Sequence, residues 1–343
     1  MIFARTSRMA PRDVIVVGAS SGGVEVLTKL VEGLPEDLPA AVFIVLHVRP
    51  DAPSRLPTIL NRAGQLPAAH AVNEEPIRRG RIYIAPPGMQ TYVQRGRIAV
   101  RRGPQENDHR PSIDALFRTA AHHYGPRVIG VVLSGLLDDG TAGLLAIKKA
   151  GGTTVAQHPQ DAQFPDMPAN AIEAVGPDFI LPIRDLAPML VELSATDVEV
   201  SSLPSEVPLE TAEEASHPGE AKRSQELGPP SHFVCPACCG TLYEIDEGFA
   251  VRFRCRVGHA YSADTIESAT GTGVERALWV ALRALEERSA LLNKLAQFAR
   301  RRGHTPVAEL YEERAEHLET DVRALHELIM AGNALDPVEQ AGV

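Results

Sequence analysis

Ser20 has the clearest chemical potential in this chain, because Val14-Ile15-Val16-Val17-Gly18-Ala19-Ser20-Ser21-Gly22-Gly23 leads a short apolar strand straight into a serine among small residues. A serine hydroxyl is a weak nucleophile at its own pKa. To attack an ester it must stand exposed beside a base, with backbone N–H groups ready for the oxyanion. The run satisfies the strand, G-x-S-x-G, helix pattern, with Val24 to Leu30 as the helix whose N-terminus would face the reacting carbonyl. Two other uses of the turn stay open: a glycine-rich turn between strand and helix also cradles phosphates, and small residues also serve tight packing.

A base and an acid for Ser20 are available at other strand ends. His47 directly follows the apolar run Ala41 to Leu46, and Asp139 lies in Ser134-Gly135-Leu136-Leu137-Asp138-Asp139-Gly140 after the apolar run Val128 to Leu133. In a doubly wound sheet, functional groups gather beyond the carboxyl ends of the strands, so Ser20, His47 and Asp139 would share one edge. Each has a plainer reading: a strand-end histidine bonded to nearby backbone, and an aspartate capping a helix that begins near Thr141. Their coincidence on one edge favours a Ser-His-Asp triad, in a chain order different from that of α/β-hydrolases.

The second cluster is Cys235-Pro236-Ala237-Cys238-Cys239-Gly240, followed by Cys255-Arg256-Val257-Gly258-His259. The spacing is C-x2-C and then C-x3-H, two tight knuckles that can deliver four ligands to a tetrahedral zinc ion. Cys235, Cys238, Cys255 and His259 are the expected ligands, and Cys239 is expected to remain a non-ligand thiol. A closed four-ligand site leaves no position for substrate, so the zinc would be structural. All four cysteines are confined to this segment, which speaks against a disulfide framework.

The elements that must position these groups are legible in the hydrophobic pattern. The chain is 44% hydrophobic and 23% charged, and no apolar run approaches the roughly 20 residues that span a bilayer. With no secretory signal at the start, a cytoplasmic protein without a transmembrane segment is expected. The net charge of −10 argues against nucleic acid as a partner, although Asp197 to Glu226 carries much of it, with eight acids against Lys222 and Arg223.

From residue 12 to 194, apolar runs alternate with amphipathic stretches, which predicts an α/β fold with a doubly wound, mostly parallel sheet. Strands are expected over Val14–Val17, Ala41–Leu46, Arg81–Ala85, Ile98–Arg101, Val128–Leu133, Thr153–Ala156 and Asp178–Leu181. Helices are expected over Val24–Glu32, Pro53–Asn61, Ser112–His123, Ala142–Lys149, Pro168–Val175 and Leu186–Leu193. Arg81–Ala85 and Ile98–Arg101 have no helix between them and are expected to pair as a hairpin. Residues 195–232, rich in Pro, Ser, Glu and Ala, read as a flexible linker. A small zinc-ribbon module follows over 233–265, and then an α-helical hairpin over 272–332. Its apolar stripes are Leu278, Leu282, Leu285, Leu292 and Leu295 on one helix, and Leu310, Leu318, Val322, Leu325 and Leu328 on the other.

Residues 12–194 resemble the catalytic domain of the CheB-type protein-glutamate methylesterases of bacterial chemotaxis. The resemblance is carried by Gly18-Ala19-Ser20-Ser21-Gly22-Gly23, Leu46-His47-Val48-Arg49-Pro50, Ile84-Ala85-Pro86-Pro87-Gly88, His109 to Phe117, Leu133 to Gly140, and Ala156-Gln157 followed by Met167-Pro168. It implies that Ser20 is the nucleophile, His47 the base and Asp139 the acid, with backbone N–H groups of Ser21 and Leu136 for the oxyanion. It implies hydrolysis of glutamate methyl esters on cytoplasmic helices of chemoreceptors, with release of methanol and no cofactor for catalysis. Glutamine deamidation at the same positions is allowed too. His109, Arg110 and Ser112 recur in the family and are assigned to loop structure or substrate contact, beside a plain reading as a helix entry.

Two departures stand out. Leu136-Leu137 replaces the Met-Gly of many relatives, and only about a dozen residues precede the first strand, so a receiver-less form with a zinc-ribbon and helical tail is expected. The C-terminal module could engage a signalling protein. A nucleotide- or phosphate-binding module and a catalytically retired scaffold are the competing readings. The first is weakened because the turn lacks a P-loop lysine.

Overall fold

The computed structural model describes residues 8–49, 54–200, 228–246 and 251–331. The strands up to residue 200 are β1 (Arg8–Pro11), β2 (Val14–Ala19), β3 (Ala41–Leu46), β4 (Ala68–His70), β5 (Arg81–Ile84), β6 (Gln90–Gln94), β7 (Arg97–Arg101), β8 (Val128–Val132), β9 (Thr153–Gln157), β10 (Phe179–Leu181) and β11 (Asp197–Val200). Six helices accompany them: α1 (Gly23–Glu32), α2 (Leu56–Ala63), α3 (Ile113–Tyr124), α4 (Thr141–Lys149), α5 (Asp166–Val175) and α6 (Ile183–Ser194).

Seven strands form one parallel sheet in the order β10-β9-β8-β2-β3-β5-β4. Every residue of β2, β3 and β8 is buried, as expected for strands covered on both faces. Alternation along β2 sends Ile15 and Val17 into a core with Leu27 and Leu30 of α1, Leu60 of α2, and Leu186 and Leu190 of α6. Val14 and Val16 enter a second core with Leu116 and Phe117 of α3, Leu144 of α4 and Met167 of α5. The chain leaves β2 outward through β3, β4 and β5, then returns to β8 on the other side of β2. The carboxyl end of β2 is therefore a topological switch point, where such sheets leave a crevice.

The expected hairpin of Arg81–Ala85 with Ile98–Arg101 does not form. Ile82, Tyr83 and Ile84 are buried, and β5 runs parallel between β3 and β4 inside the main sheet. β7 pairs instead with β6 as a separate antiparallel ribbon turned at Gly96. The polar ends of Gln90-Thr91-Tyr92-Val93-Gln94 hide a strand whose residues are all buried. The helix expected from Pro53 begins at Leu56 with Pro57 in its first turn; Pro53 lies outside the described residues. The segment expected as linker contributes β11, paired antiparallel to β1, and residues 201–227 lie outside the described residues.

After residue 228, β12 (Pro230–Val234), β13 (Thr241–Asp246), β14 (Val251–Cys255) and β15 (Ala260–Ser262) form a four-stranded antiparallel meander. Helices α7 (Ala263–Arg301) and α8 (Thr305–Met330) follow. The chain divides into two compact units, residues 1–265 and 266–343. In the second, the turn runs through Gly303 at φ +79°, and Arg300 pairs with Glu312. Beyond its first turn, where Thr265 and Ile266 are buried, the buried positions on α7 are Leu282, Ser289, Leu292, Ala296 and Ala299, and on α8 they are Ala308, Ala315 and Ile329, a three-four spacing typical of helix seams. Leu295, Leu310 and Leu328, expected on the stripes, are exposed, because alanines occupy the seam at the crossing instead.

Candidate active site

β2 and β3 are in register up to Ala19 opposite Leu46, so Ser20 and His47 are the next residues on adjacent strands. The His47 N–H donates to the Ala19 carbonyl at 3.1 Å, and the Ser20 N–H donates to the Ser134 carbonyl at 2.9 Å. The third strand end is thereby tied to the first. Gly22 has φ +72° and opens α1 without a side-chain cap, which leaves the helix N-terminus free of a capping group. Gly135 lies so close that a Cβ there would meet Ser20 Cβ at 2.8 Å. Ser134 Oγ donates to the Ser21 carbonyl at 2.8 Å and accepts from the Phe164 N–H at 3.0 Å, bracing the serine turn from below.

His47 Nε2 and Asp139 Oδ2 are 2.8 Å apart, and both side chains are nearly sealed from solvent. The other ring nitrogen, His47 Nδ1, is buried with no hydrogen-bond partner. Since Asp139 is the acceptor on the Nε2 side, the network assigns the proton to Nε2 and leaves Nδ1 as the free acceptor. The His109 ring stacks on His47 with centroids 3.5 Å apart and planes at 16°. Burial, and then the neighbouring His47, push the His109 pKa down to about 4, so it stacks as a neutral ring near pH 7.

Asp139 does not cap its own helix. Gly140 is the N-cap of α4, and the Asp139 carboxylate points at the N-terminus of α3 instead. There it accepts from Ile113 N–H at 2.7 Å, Asp114 N–H at 3.3 Å and the N-cap hydroxyl of Ser112 at 3.0 Å. Asp114, from the first turn of α3, returns the favour by accepting from Gly140 N–H at 3.1 Å and Gly143 N–H at 2.6 Å. The two helices thus exchange caps, each satisfying the other's orphan donors.

Burial works against the Asp139 charge, but the His47 hydrogen bond, then the two neighbouring imidazoles and the Ile113 N–H, hold its carboxyl well below the usual range. Burial, and then the Asp139 charge, push Asp114 up to about 7. Two buried carboxyls this close divide the roles, one ionised and one holding a proton more readily.

Ser21 and Leu136, the expected oxyanion donors, both lie at this edge. Among the described residues, neither N–H donates to a backbone carbonyl. Leu137 has φ +61°, and Leu136 is 46% exposed. Sequence reasoning missed Asn107, whose Nδ2 donates to Asp139 Oδ1 at 3.1 Å, and it missed the cap exchange of Asp114. Ser112 was legible as a cap; its second bond, to Asp139, was not, since nothing local links residues 112 and 139.

The Cys235, Cys238, Cys255 and His259 donor atoms all lie within 4.8 Å of one another. Cys238 Sγ and Cys255 Sγ are 3.7 Å apart, and His259 Nδ1 is 3.6 Å from both Cys235 Sγ and Cys255 Sγ. A tetrahedral ion with metal–sulfur bonds of about 2.3 Å has edges of about 3.8 Å, so these three separations make the donor set compatible with such a metal. Cys239 stands outside the group, exposed at φ +57°, in the knuckle turn where its N–H donates to the Cys235 carbonyl at 2.8 Å.

Comparison with known proteins gives a consistent result. The profile of the CheB methylesterase family matches residues 15–190. A protein of Anaeromyxobacter dehalogenans named protein-glutamate methylesterase/protein-glutamine glutaminase 2 is 36% identical over 191 residues, covering 56% of this chain and 56% of the relative. One from Moorella thermoacetica, named for the same two activities, is 37% identical over 53% of this chain and 44% of its own. The chain thus spans about half the length of these curated relatives. A Leptospira interrogans protein named "Putative protein-glutamate methylesterase/protein-glutamine glutaminase" is 32% identical, and the match covers 54% of this chain and 97% of that one. The crystal structure of the Thermotoga maritima CheB methylesterase catalytic domain superposes with a TM-score of 0.51 at 30% identity, covering 53% of this chain and 98% of the other.

Proposed function

The chain belongs to the CheB methylesterase family, and from that premise we propose that it is a serine hydrolase that demethylates glutamate methyl esters on chemoreceptors. The observation that carries this reading is the His47–Asp139 pair at 2.8 Å, with His47 Nδ1 left unpartnered one residue beyond the strand pair that ends beside Ser20. In this reading Nδ1 takes the Ser20 proton as Oγ attacks the ester carbonyl carbon. The oxyanion accepts from the N–H groups of Ser21 and Leu136. The bond to methoxide then breaks, and His47 hands it the proton, releasing methanol. Water, deprotonated by His47, attacks the acyl-enzyme carbonyl, and Ser20 leaves with the proton returned, giving the glutamic acid side chain, which ionises by releasing its proton to solvent. Asp139 keeps the Nε2 proton in place and stabilises the imidazolium, without accepting the proton. A glutamine side chain would follow the same path with ammonia as the leaving group.

The names of the relatives and the strand-end geometry support this substrate class, and no residue of the catalytic edge calls for a cofactor in these steps. For Cys235, Cys238, Cys255 and His259 the reading is a structural zinc ion, supported by a donor set gathered within 4.8 Å, three of whose separations are near those of a tetrahedral site. Zinc would cross-link the knuckles of β12–β13 and β14–β15, with no open position for substrate. The domain reading is a catalytic domain over 12–194, a zinc-ribbon module over 233–265 and a helical pair that could receive a signalling protein on exposed residues such as Trp279 and Phe298. Among the described residues no helix is long and apolar enough to cross a membrane, and the receptor's cytoplasmic helices as substrate imply a cytoplasmic site of action.

The test is methanol release from methylated chemoreceptor membranes by the purified chain and its Ser20→Ala variant, without a phosphodonor. Release by the wild type alone is expected. Equal rates for the two proteins, or none from either with folding and zinc content verified, would discard the reading.

A further inference from the structure

We propose that Asn107 is a positioning residue for Asp139, and that the cysteine-histidine module holds Asn107 in place through β15, which makes the module a working part of the hydrolytic site. The kinetic consequence rests on the esterase reading above; the contacts do not. Asn107 lies between β7 and α3, 4% exposed, with φ +48°. Its Nδ2 donates to Asp139 Oδ1 at 3.1 Å and to Asp114 Oδ2 at 3.2 Å. Its Oδ1 accepts from the Ser262 N–H at 2.9 Å, and its own N–H donates to the Ala260 carbonyl at 2.8 Å. The surroundings admit no other amide orientation, since a flipped side chain would aim oxygen at two carboxyls and N–H at N–H.

The module end of this grip is short. Ala260 directly follows His259, one of the four donors, and the Cys255 N–H donates to the His259 carbonyl at 2.9 Å. Two further contacts fasten the same strands to the catalytic edge. Ser262 Oγ donates to Asp138 Oδ1 at 2.8 Å, on the residue before Asp139. The buried Glu106 carboxylate, beside Asn107 in the chain, is paired with Arg118 of α3 and lies 3.8 Å from Arg252 of β14. Donors from α3 hold Asp139 from the helix side, and Asn107 holds it from the module side.

Removing the Asn107 donor has two physical effects. The carboxylate gains freedom about its broad terminal torsion, so the His47 ring loses orientation. Its charge is also less neutralised, so it favours the imidazolium more strongly.

The experiment uses the full zinc-loaded chain with Asn107→Ala, Arg252→Met and the double variant. It reads the pH profile of kcat/KM for methanol release and, independently of any substrate, the 15N titration of the His47 ring, identified by its loss in His47→Gln. Asn107→Ala is expected to lower kcat/KM by about 10- to 100-fold, chiefly in kcat. The acid limb and the ring titration should both move to higher pH, by about 0.3 to 1 unit. Arg252→Met should lower kcat/KM less than about tenfold in the wild type and have little further effect beside Asn107→Ala. A simple loss of folded protein would scale the rate and move neither titration. Unmoved limb and ring titrations in Asn107→Ala overturn the positioning role, and additive effects in the double variant overturn the module's part in it. If Asn107→Ala does not fold, Arg252→Met must move the ring titration, or the proposal falls. A shifted ring titration without Ser20-dependent hydrolysis would remove the esterase reading and leave the positioning contact standing.

Discussion

The seven-stranded sheet and the four-stranded module, which meet at Asn107, are ordered by opposite means. In the sheet, β2, β3 and β8 are buried on both faces, and two apolar cores hold the backbone so firmly that polar groups can be placed at its edge. In the module, the buried apolar side chains are few, chiefly Leu242, Phe253, Ala260 and Tyr261, while Phe233, Val234, Val251 and Val257 are exposed. Its interior is instead the donor cluster, with Cys235 and Cys255 fully buried. A sheet this small buries little apolar surface of its own, so in the structural-zinc reading proposed for it four ligands would supply what a core supplies elsewhere. The lesson is a division of labour: in one region a core positions reactive groups, and in the other would-be reactive groups are the core.

Four substitutions test that division, taken from the largest expected effect. Ser20→Ala should lower kcat by about 10⁶-fold, with thermal stability unchanged, since in the proposed reading the hydroxyl carries chemistry while alanine keeps the Cβ that packs beside Gly135. A residual rate near wild type would break the assignment at its root. Asp139→Asn should lower kcat by about 10³- to 10⁴-fold through loss of the correct imidazole tautomer. It should also destabilise the start of α3, where the carboxylate accepts three donors, so amide exchange there should quicken.

Cys255→Ser, or zinc removal by a chelator, inverts the pattern. Amide protection should vanish in β12 to β15 and persist in β2, β3 and β8, while kcat/KM falls by about 10- to 100-fold because Asn107 is released. Equal loss of protection in both sheets would show that they are one cooperative unit and not two regions ordered by different means.

The smallest effect concerns pH. Burial raises the Asp138 carboxyl to about 6, with the Ser262 hydroxyl opposing and the charges of Asp264 and Asp139 adding to the rise. The folded state therefore keeps this proton longer than the unfolded chain, whose carboxyl titrates at its ordinary value of 3.8. Its contribution to stability is complete below about pH 4 and is lost as pH rises through about 6. Asp138→Asn should flatten that part of the melting-temperature profile while retaining an oxygen for Ser262. A profile with the wild-type slope would sink the attribution to Asp138.

Much of the sheet was legible because parallel strands buried on both faces read as unbroken apolar runs. Ala41–Leu46 matches β3 at both ends, and Val128–Leu133 overshoots β8 by one residue. The pairing of β5 and β7 was misread because partners are set by tertiary neighbours, and the pattern of Arg81 to Ile84 fits a hairpin arm as well as an interior strand; β6 was missed because its ends are polar. β4, three residues long, carries too little pattern to register. In the candidate site, Ser20, His47 and Asp139 were legible because each follows an apolar run that ends at the same sheet edge. Asn107 was not, because a buried asparagine in Glu106-Asn107-Asp108 reads like any polar loop.

The amino-acid sequence by itself determined the period of the strands and helices, the small-residue turn around Ser20 and the spacing of the four metal-type donors. These are local properties, set by side-chain size, polarity and a few bonds of chain. The tertiary structure alone decided that Asp139 faces the start of α3 and not its own helix, that Asp114 returns the cap, and that a strand from the cysteine module reaches the acid through Asn107. Each of those contacts joins groups 25 to 155 residues apart. Their energy depends on burial that exists only once the layers have closed, so no local stretch of chain could specify them.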